Sequence, residues 1–505
     1  MTDNEHIYDV CIVGSGPAGA FAAHELTKKD LDVVLIEAGS ADIDTSTSNV
    51  LDEEAGQITG GIDFGFSQQI GGSSNLWAGG LARFYPVDLV ERKDFGFEGW
   101  PVGIHELDDL YKRVNEHIGI PDSSREAIDK ELLDLTGSTC LEAREMVMLN
   151  NPYCTSKLIN EANGITLFER CMASKLNVEN NDSISSLEIY DRGTQESHQI
   201  KAKKYILAAG ALTNIRILLH SLKDSEEKLN GLYGNIGHYF STHPKANVGT
   251  VRLAEPLDSR HPFLSYKRYS EHASRLQFGL NENQLLQHDL LNHCIRFDSP
   301  LNHRLNRLFD MVKALLGRVS IFNSSNGFLT DAIANLGVSV YRFIDRIGFV
   351  GSKGNILSVR AFIDQSASIN NKVKLSDKVS ESGLPLASIH WEFDEKDWVN
   401  LDKFMMLFSA EIRSLGVGEL IYRRPVIGEF TGIHSHFMGG TRCGTGPSNS
   451  VVDKDLKVHG FDNLYVSGPS VFPSFGYSNP FYTIAALSLR LADHINSCLD
   501  KVDQK

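Results

Sequence analysis

The chain's first apolar run, Val10 to Val13, is unbroken, and a second, Val33 to Ile36, follows it. Short continuous runs of this kind predict strands buried on both faces, as in a parallel sheet. Between them, Ala18 to Leu26 is a good helix former. Ser40 to Ile70 is polar and glycine-rich and reads as a loop-dominated connection. Leu107, Leu110, Tyr111 and Val114 then recur at helical spacing, which predicts a helix with those side chains in the core. From Ile165 to Tyr205, TLFER, KLNVE, SLEIY and HQIKAKKY alternate with turns and read as a meander of strands. Tyr205 to Ala208 is a buried strand stopping at Gly210, with a helix over roughly Thr213 to Ser221.

Further along, Arg304 to Val319 is a basic amphipathic helix, with Leu305, Leu308, Phe309, Val312, Leu315, Leu316 and Val319 on one side. A second helical stretch covers Asp331 to Ile347. The pair reads as solvated helices packed on a substrate domain, and its character also allows docking to a membrane surface or a partner. RAFIDQSASINNKVKLS and LPLASIHWEFDE alternate like strands and predict a sheet over Arg360 to Phe393. Near the C-terminus, the strand Leu464 to Val466 runs into Ser467-Gly468. Asn479-Pro480 then opens a long helix that buries Phe481, Ile484, Ala485 and Leu491. Asn at a cap with Pro at the first helical position is a strong start signal.

Length changes this picture first: 505 residues exceed one ordinary core, so two or more domains are expected. With 42% apolar and 22% charged residues the composition is that of a soluble globular protein. A net charge of −15 argues against nucleic acid or an anionic membrane as the main partner. The seven cysteines are scattered, odd in number and free of any CxxC, which points to free thiols in a reducing compartment. No zinc or other metal ligand set stands out. The first strand follows Met1 closely after TDNEH, leaving no room for a signal helix, and no run of about eighteen apolar residues offers a membrane span. A cytoplasmic location is expected.

The chemistry gathers at three small-residue turns at strand ends and one further small-residue segment. In YDVCIVGSGPAGAFAAHEL, Gly14, Gly16 and Gly19 form GxGxxG between strand and helix. The first glycine permits the tight turn, the second the approach of a pyrophosphate, and the third close helix–strand packing. Glu37 closes the second strand, where a carboxylate binds ribose hydroxyls, favouring FAD or NAD over NADP. GGSSNLWAGGLAR, Gly71 to Arg83, is too small-sided to build a core and suits backbone pressed against a ligand. Gly210 and Gly468 mark two further strand ends of the same kind. The helix opened by Pro480 favours negative charge at its N-terminus.

Taken together, the first Gly-rich unit, GGSSNLWAGG, the AAGA strand, HFMGGTR and NLYVSGPSVFP with its following NP resemble the glucose–methanol–choline (GMC) family of FAD-dependent oxidoreductases. The resemblance covers about three quarters of the chain and is thinnest from about Leu253 to Gly354. It implies an α/β fold: a Rossmann-like FAD-binding domain with a parallel sheet, plus an α+β substrate domain with a large, mostly antiparallel sheet. The FAD domain would be assembled from residues 1–95, 161–242 and 431–505, with a substrate-domain or lid segment at 96–160 and the substrate domain at 243–430. His436 matches the family's active-site histidine, the base that takes the hydroxyl proton as hydride leaves for flavin N5. Asn479 matches the second active-site position and would hydrogen-bond the same hydroxyl, while His434 is a rival base two residues before His436. Gly71, Gly72, Ser73, Ser74 and Asn75 match the segment along the pyrophosphate and flavin, with Ala78 near flavin N5 and O4. Leu76 stands where some relatives attach FAD through a histidine, so FAD is expected to be non-covalent. Cys443 replaces a common Met, and Gln365-Ser366 a common Pro-Asn pair; neither change removes a catalytic group.

The implied activity is oxidation of a CH–OH group in a sugar, glycoside or related alcohol, leaning toward pyranose oxidase-like members. Oxygen and another electron acceptor both stay open, as does the oligomeric state. Two alternatives remain: a redox-silent flavoprotein of the same fold, such as a hydroxynitrile lyase, and an NAD-binding protein.

Overall fold

The computed structural model describes residues 6–41, 50–58, 67–121, 138–179, 182–223, 231–256, 263, 266–268, 272–298, 355–433 and 435–500. Both helical stretches expected between Arg304 and Ile347, and His434, lie outside these residues.

Two sheets carry the architecture. The first, seven-stranded, has a parallel part built from Ile165–Phe168, Val33–Ile36, Ile7–Val13, Glu196–Leu207 and Leu464–Val466 in that spatial order. Val10, Cys11, Ile12, Val33, Val34 and Leu35 are fully buried, as strands with helices on both faces require. Glu196–Leu207 serves two roles along its length. Its C-terminal half pairs in parallel with Ile7–Val13, and its N-terminal half joins an antiparallel meander with Ser183–Asp191 and Cys171–Glu179. The expected meander therefore holds for three of its four runs. The first, Ile165–Phe168, is instead a parallel edge strand beside Val33–Ile36.

The second sheet is eight-stranded, and its pairings are antiparallel. Its order is Gly418–Tyr422, Lys245–Leu253, Ile356–Phe362, Cys294–Asp298, His272–Leu280, Leu141–Leu149 and Gly80–Leu81, with Tyr266–Arg268 on His272–Leu280. Lys372–Val379 and Pro385–Trp391 form a separate three-stranded sheet with Leu51–Gly56. The expected loop over 40–70 thus contains a strand, and the expected sheet over 360–393 is divided between two sheets. The helix Glu395–Ser414 was not anticipated; Leu401, Phe404, Met405, Phe408 and Ile412 bury its inner face.

Helices follow the expected pattern elsewhere. Pro17–Thr27 packs on the C-terminal helix Phe481–Asp500, which also meets Ile104–Ile118. Leu107, Leu110, Tyr111 and Val114 are buried, and Ala211–Leu222 extends the expected third helix by a residue or two at each end. Among the described residues no helix is long and apolar enough to cross a membrane.

Candidate active site

Three small-residue turns at strand ends, those of Gly14, Gly210 and Gly468, converge with the GGSSN segment at the carboxyl edge of the parallel sheet. Gly14 adopts φ +98°, and a Cβ there would stand 2.7 Å from the Ala208 carbonyl oxygen, so the first and second turns touch. A Cβ on Gly72 would come within 2.8 Å of Gly16 Cα, which stacks the GGSSN segment on the GxGxxG loop. Gly468 lies opposite Ala18, and a Cβ added to it would stand 3.7 Å from Ala18 Cβ. Asn214 ties the remaining pair together: its Oδ1 accepts from Ala209 N at 2.9 Å, and its Nδ2 donates to Ser467 O at 3.1 Å. Gly210, at φ +80°, has open space where its Cβ would be. Backbone stripped of side chains at a helix N-terminus is the environment a pyrophosphate needs, so these residues fit a dinucleotide.

The side chains of this cradle mostly hold one another. Glu37 accepts from Ser15 N (3.0 Å), Ser15 Oγ (2.6 Å) and Gly39 N (2.8 Å), leaving part of its acceptor capacity for a ribose hydroxyl. Burial pushes its pKa up, while those hydrogen bonds pull the other way. Ser15 Oγ also accepts from Gly71 N at 3.1 Å, linking the two Gly-rich segments. Ser74 and Asn75 brace their own loop. Ser74 Oγ donates to Gly71 O (2.6 Å) and accepts from Thr155 N (3.0 Å); Asn75 Nδ2 donates to Ile70 O (3.0 Å) and Gly72 O (2.9 Å). Ser73 is exposed, and Leu76 and Ala78 are half-buried beyond it. Trp77 stacks on Phe481, ring centroids 4.0 Å apart, fixing the loop to the start of the C-terminal helix. In that helix Pro480 O accepts from Ile484 N at 2.9 Å.

Asn479, just before that helix, donates from Nδ2 to Gly80 O (3.2 Å) and accepts on Oδ1 from Lys245 Nζ (3.3 Å). Gly80 and Lys245 lie on strands five steps apart in the eight-stranded sheet. Laid flat, five steps span about 24 Å, so the sheet is curled and Asn479 sits against its concave face. His436 lies in the same neighbourhood, its ring centroid 5.6 Å from that of His243. Burial holds the His436 pKa well below its usual value, and the Lys245 ammonium and any proton on His243 act in the same direction. Its Nδ1 is shut off from solvent and has no hydrogen-bond partner among the described residues. His243 donates from Nε2 to Gly476 O at 2.7 Å, which fixes its neutral tautomer, and burial followed by Lys245 brings its pKa down to about 3. A neutral imidazole beside an amide and an ammonium group can take a proton and steady the oxygen that loses it.

Lys245 and His243 escaped the sequence reading. Each is a single residue in an ordinary strand approach, THPKANV, and neither stands in a motif. Gln365, at the family's Pro-Asn position, is a fully engaged strut. It accepts from Trp391 Nε1 (2.8 Å) and Ser241 Oγ (3.0 Å) and donates to Glu392 O (2.7 Å). Cys443 is buried, its thiol pushed up to about 12 by burial.

A Gly-lined dinucleotide cradle beside a half-buried neutral histidine defines a flavoprotein oxidoreductase in outline. Residues 9–322 match the FAD dependent oxidoreductase family, and residues 367–488 match the GMC oxidoreductase family. The chain is 22% identical over 549 aligned positions to paromamine 6'-oxidase of Streptomyces fradiae, covering 97% of this chain and 91% of that one. It is 23% identical to 2-methyl-1,2-propanediol dehydrogenase of Mycolicibacterium austroafricanum, covering 100% and 98% of the two chains. Among solved structures, pyridoxine 4-oxidase from Mesorbium loti superposes with a TM-score of 0.56 at 17% identity, over 97% of this chain and 99% of that one. The chain belongs to the FAD dependent oxidoreductase family and carries a GMC oxidoreductase domain in its C-terminal part.

Proposed function

We propose that this enzyme oxidises a CH–OH group of a sugar, glycoside or related small alcohol, with His436 as the base and Asn479 as the hydrogen-bonding partner of the same oxygen. The observation that carries the reading is the half-buried, neutral His436 beside Lys245 and Asn479 at the concave face of the sheet. The relatives named as acting on paromamine and on a propanediol support the substrate class. FAD, when bound, supplies the two-electron acceptor. Gly14, Gly16, Gly72, Gly210 and Gly468 would frame its pyrophosphate, Glu37 its ribose, and the 71–78 loop and Pro480 its flavin end. In the protein itself, His436 accepts the hydroxyl proton, Lys245 keeps that imidazole neutral by opposing its protonation from solvent, and Asn479 orients the oxygen.

Leu76 supports non-covalent attachment, because its side chain has no nucleophile to offer. The division at residues 95, 160, 242 and 430 belongs to the same proposal. It is supported by the parallel sheet drawing its strands from the first, third and last pieces; among the described residues Gly80–Leu81 alone crosses from the first piece into the curled sheet. The test is an anaerobic absorbance spectrum of the purified holoenzyme before and after adding sugars, glycosides and simple alcohols. Bleaching of the flavin band by one class is expected, and a yellow protein that no alcohol bleaches would refute the reading.

A further inference from the structure

The concave face that covers Asn479 bears an uneven distribution of charge. Its strands align side chains in rows across the sheet. Lys245, Phe362, Cys294, Gly279 and Glu142 form one row, and Asn247, Arg360, Arg296, Gln277 and Arg144 form the next. Ser358, Asp298, Arg275 and Met146 form the row beyond. Arg296 and Arg360 are direct cross-strand partners, a like-charge pairing that costs stability unless something offsets it. Two carboxylates stand among the described residues of these rows: Glu142 pairs with Arg144 at 3.2 Å, and Asp298 is shared. It binds Arg275 and accepts from Arg296 at 3.2 Å; burial alone would raise its pKa, but Arg296, Arg275 and Arg360 bring it down to about 2. Arg360 itself donates to the Thr431 hydroxyl at 3.0 Å, a neutral partner. Lys245 Nζ and Arg296 Cζ both lie over the Phe362 ring, 5.3 and 5.4 Å from its centroid, so the cations continue toward Asn479.

We infer that the alcohol oxidised here carries an anionic group, a carboxylate or a phosphate monoester, which Arg360 binds with Lys245 alongside while the hydroxyl reaches His436 and Asn479. This rests on the proposed CH–OH oxidation and adds the charge of its donor. Adjacent rows on one face are about 7 Å apart, so anion and reacting hydroxyl are separated by roughly the span of a hexose or a short polyol. Guanidinium groups suit both oxyanions because their forked donors match two oxygens at once.

The experiment uses holoenzyme and matched donors: glucose, glucuronate and glucose 6-phosphate, then glycerol, glycerate and glycerol phosphate. In anaerobic flavin reduction, an anionic donor is expected to reach half-saturation at a concentration at least tenfold lower than its neutral counterpart, and the two anionic arms distinguish carboxylate from phosphate. Arg360→Gln is expected to raise half-saturation tenfold or more further for the anionic donor than for the neutral one, with Arg360→Lys intermediate. A neutral donor that matches its charged counterparts would overturn the inference, as would equal losses for both kinds of donor in the variant. Binding of acetate and inorganic phosphate, followed by the shift of the flavin spectrum, needs no turnover. If these anions bind the wild type and not Arg360→Gln while no alcohol bleaches the flavin, the oxidation reading fails and the anion site stands. If neither anion binds, the site is refuted, and should Arg360→Gln not fold, the wild-type donor pairs and Arg360→Lys decide.

Discussion

Gly16 and Gly19 belong to one motif, yet the structure separates their roles, and a pair of alanine substitutions exposes the difference. A Cβ at Gly19 would lie 1.8 Å from the Gly14 carbonyl oxygen and 3.3 Å from Ile12 Cγ2. The first of these is backbone, so relief requires the helix Pro17–Thr27 to back away from the strand by about 1.5 Å. Overpacking of this kind costs about 2–3 kcal/mol; a helical Gly→Ala exchange returns about 1 kcal/mol. Gly19→Ala is therefore expected to destabilise the apoprotein by roughly 1–2 kcal/mol. At Gly16 the backbone has φ −64°, and a Cβ would find only Gly72 Cα, 3.9 Å away. The lost preference for glycine at the cap and the reduced freedom of the unfolded chain nearly cancel, leaving a change of about zero. The added methyl, however, stands in the space between the two Gly-rich segments. Intrusion there is expected to cost FAD about 10- to 100-fold in affinity. Thermal unfolding of the apoproteins and titration with FAD, read by flavin fluorescence, measure the two quantities separately. A Gly16→Ala protein that binds FAD like the wild type would refute the cradle. So would one whose apoprotein loses as much stability as Gly19→Ala.

Other outcomes follow from the same geometry. His436→Ala is expected to lower the rate of flavin reduction by about 10²–10⁴-fold while FAD content stays unchanged; loss of FAD instead would make the residue structural. Because burial, Lys245 and His243 lower the His436 pKa, the base is neutral and active at pH 7, and its acid limb lies below pH 6.5. Reduction rates should stay level as pH falls from 8 to 6.5, whereas a limb centred at or above 6.5 would contradict the assignment. Acid precipitation should release all FAD into the supernatant, and flavin retained on the pellet would refute non-covalent binding at Leu76.

Much of this was legible in the sequence because it depends on neighbours in the chain. The strand–GxGxxG–helix unit, the strand ending at Gly210 and the start of the helix at Asn479-Pro480 each declare themselves through local periodicity and turn chemistry. The helix Glu395–Ser414 also carried a signal, in its acidic first turn and the spacing of Leu401, Phe404, Phe408 and Ile412. What stayed hidden depends on pairing across long distances. Leu51–Gly56 is polar enough to read as loop and becomes a strand by parallel pairing with Pro385–Trp391. Ile165–Phe168 looks like its neighbours in the meander, and its place beside Val33–Ile36 is fixed by the sheet rather than by its own residues. Lys245 reaches Asn479 because the sheet curls, and curvature leaves no mark on the seven residues around it.

The strand Glu196–Leu207 also imposes an order on how the protein is made. Residues 205–207 pair with Leu464–Val466, which leave the ribosome about 250 residues later, or roughly 12–50 s at ordinary rates of synthesis. Throughout that interval one edge of its apolar end, residues 205–207, faces outward with its amide and carbonyl groups unmatched, the configuration most prone to capture by another chain. Nascent chains of this protein are vulnerable late in translation, and slowing synthesis past residue 207 should increase aggregation more than slowing it past residue 466.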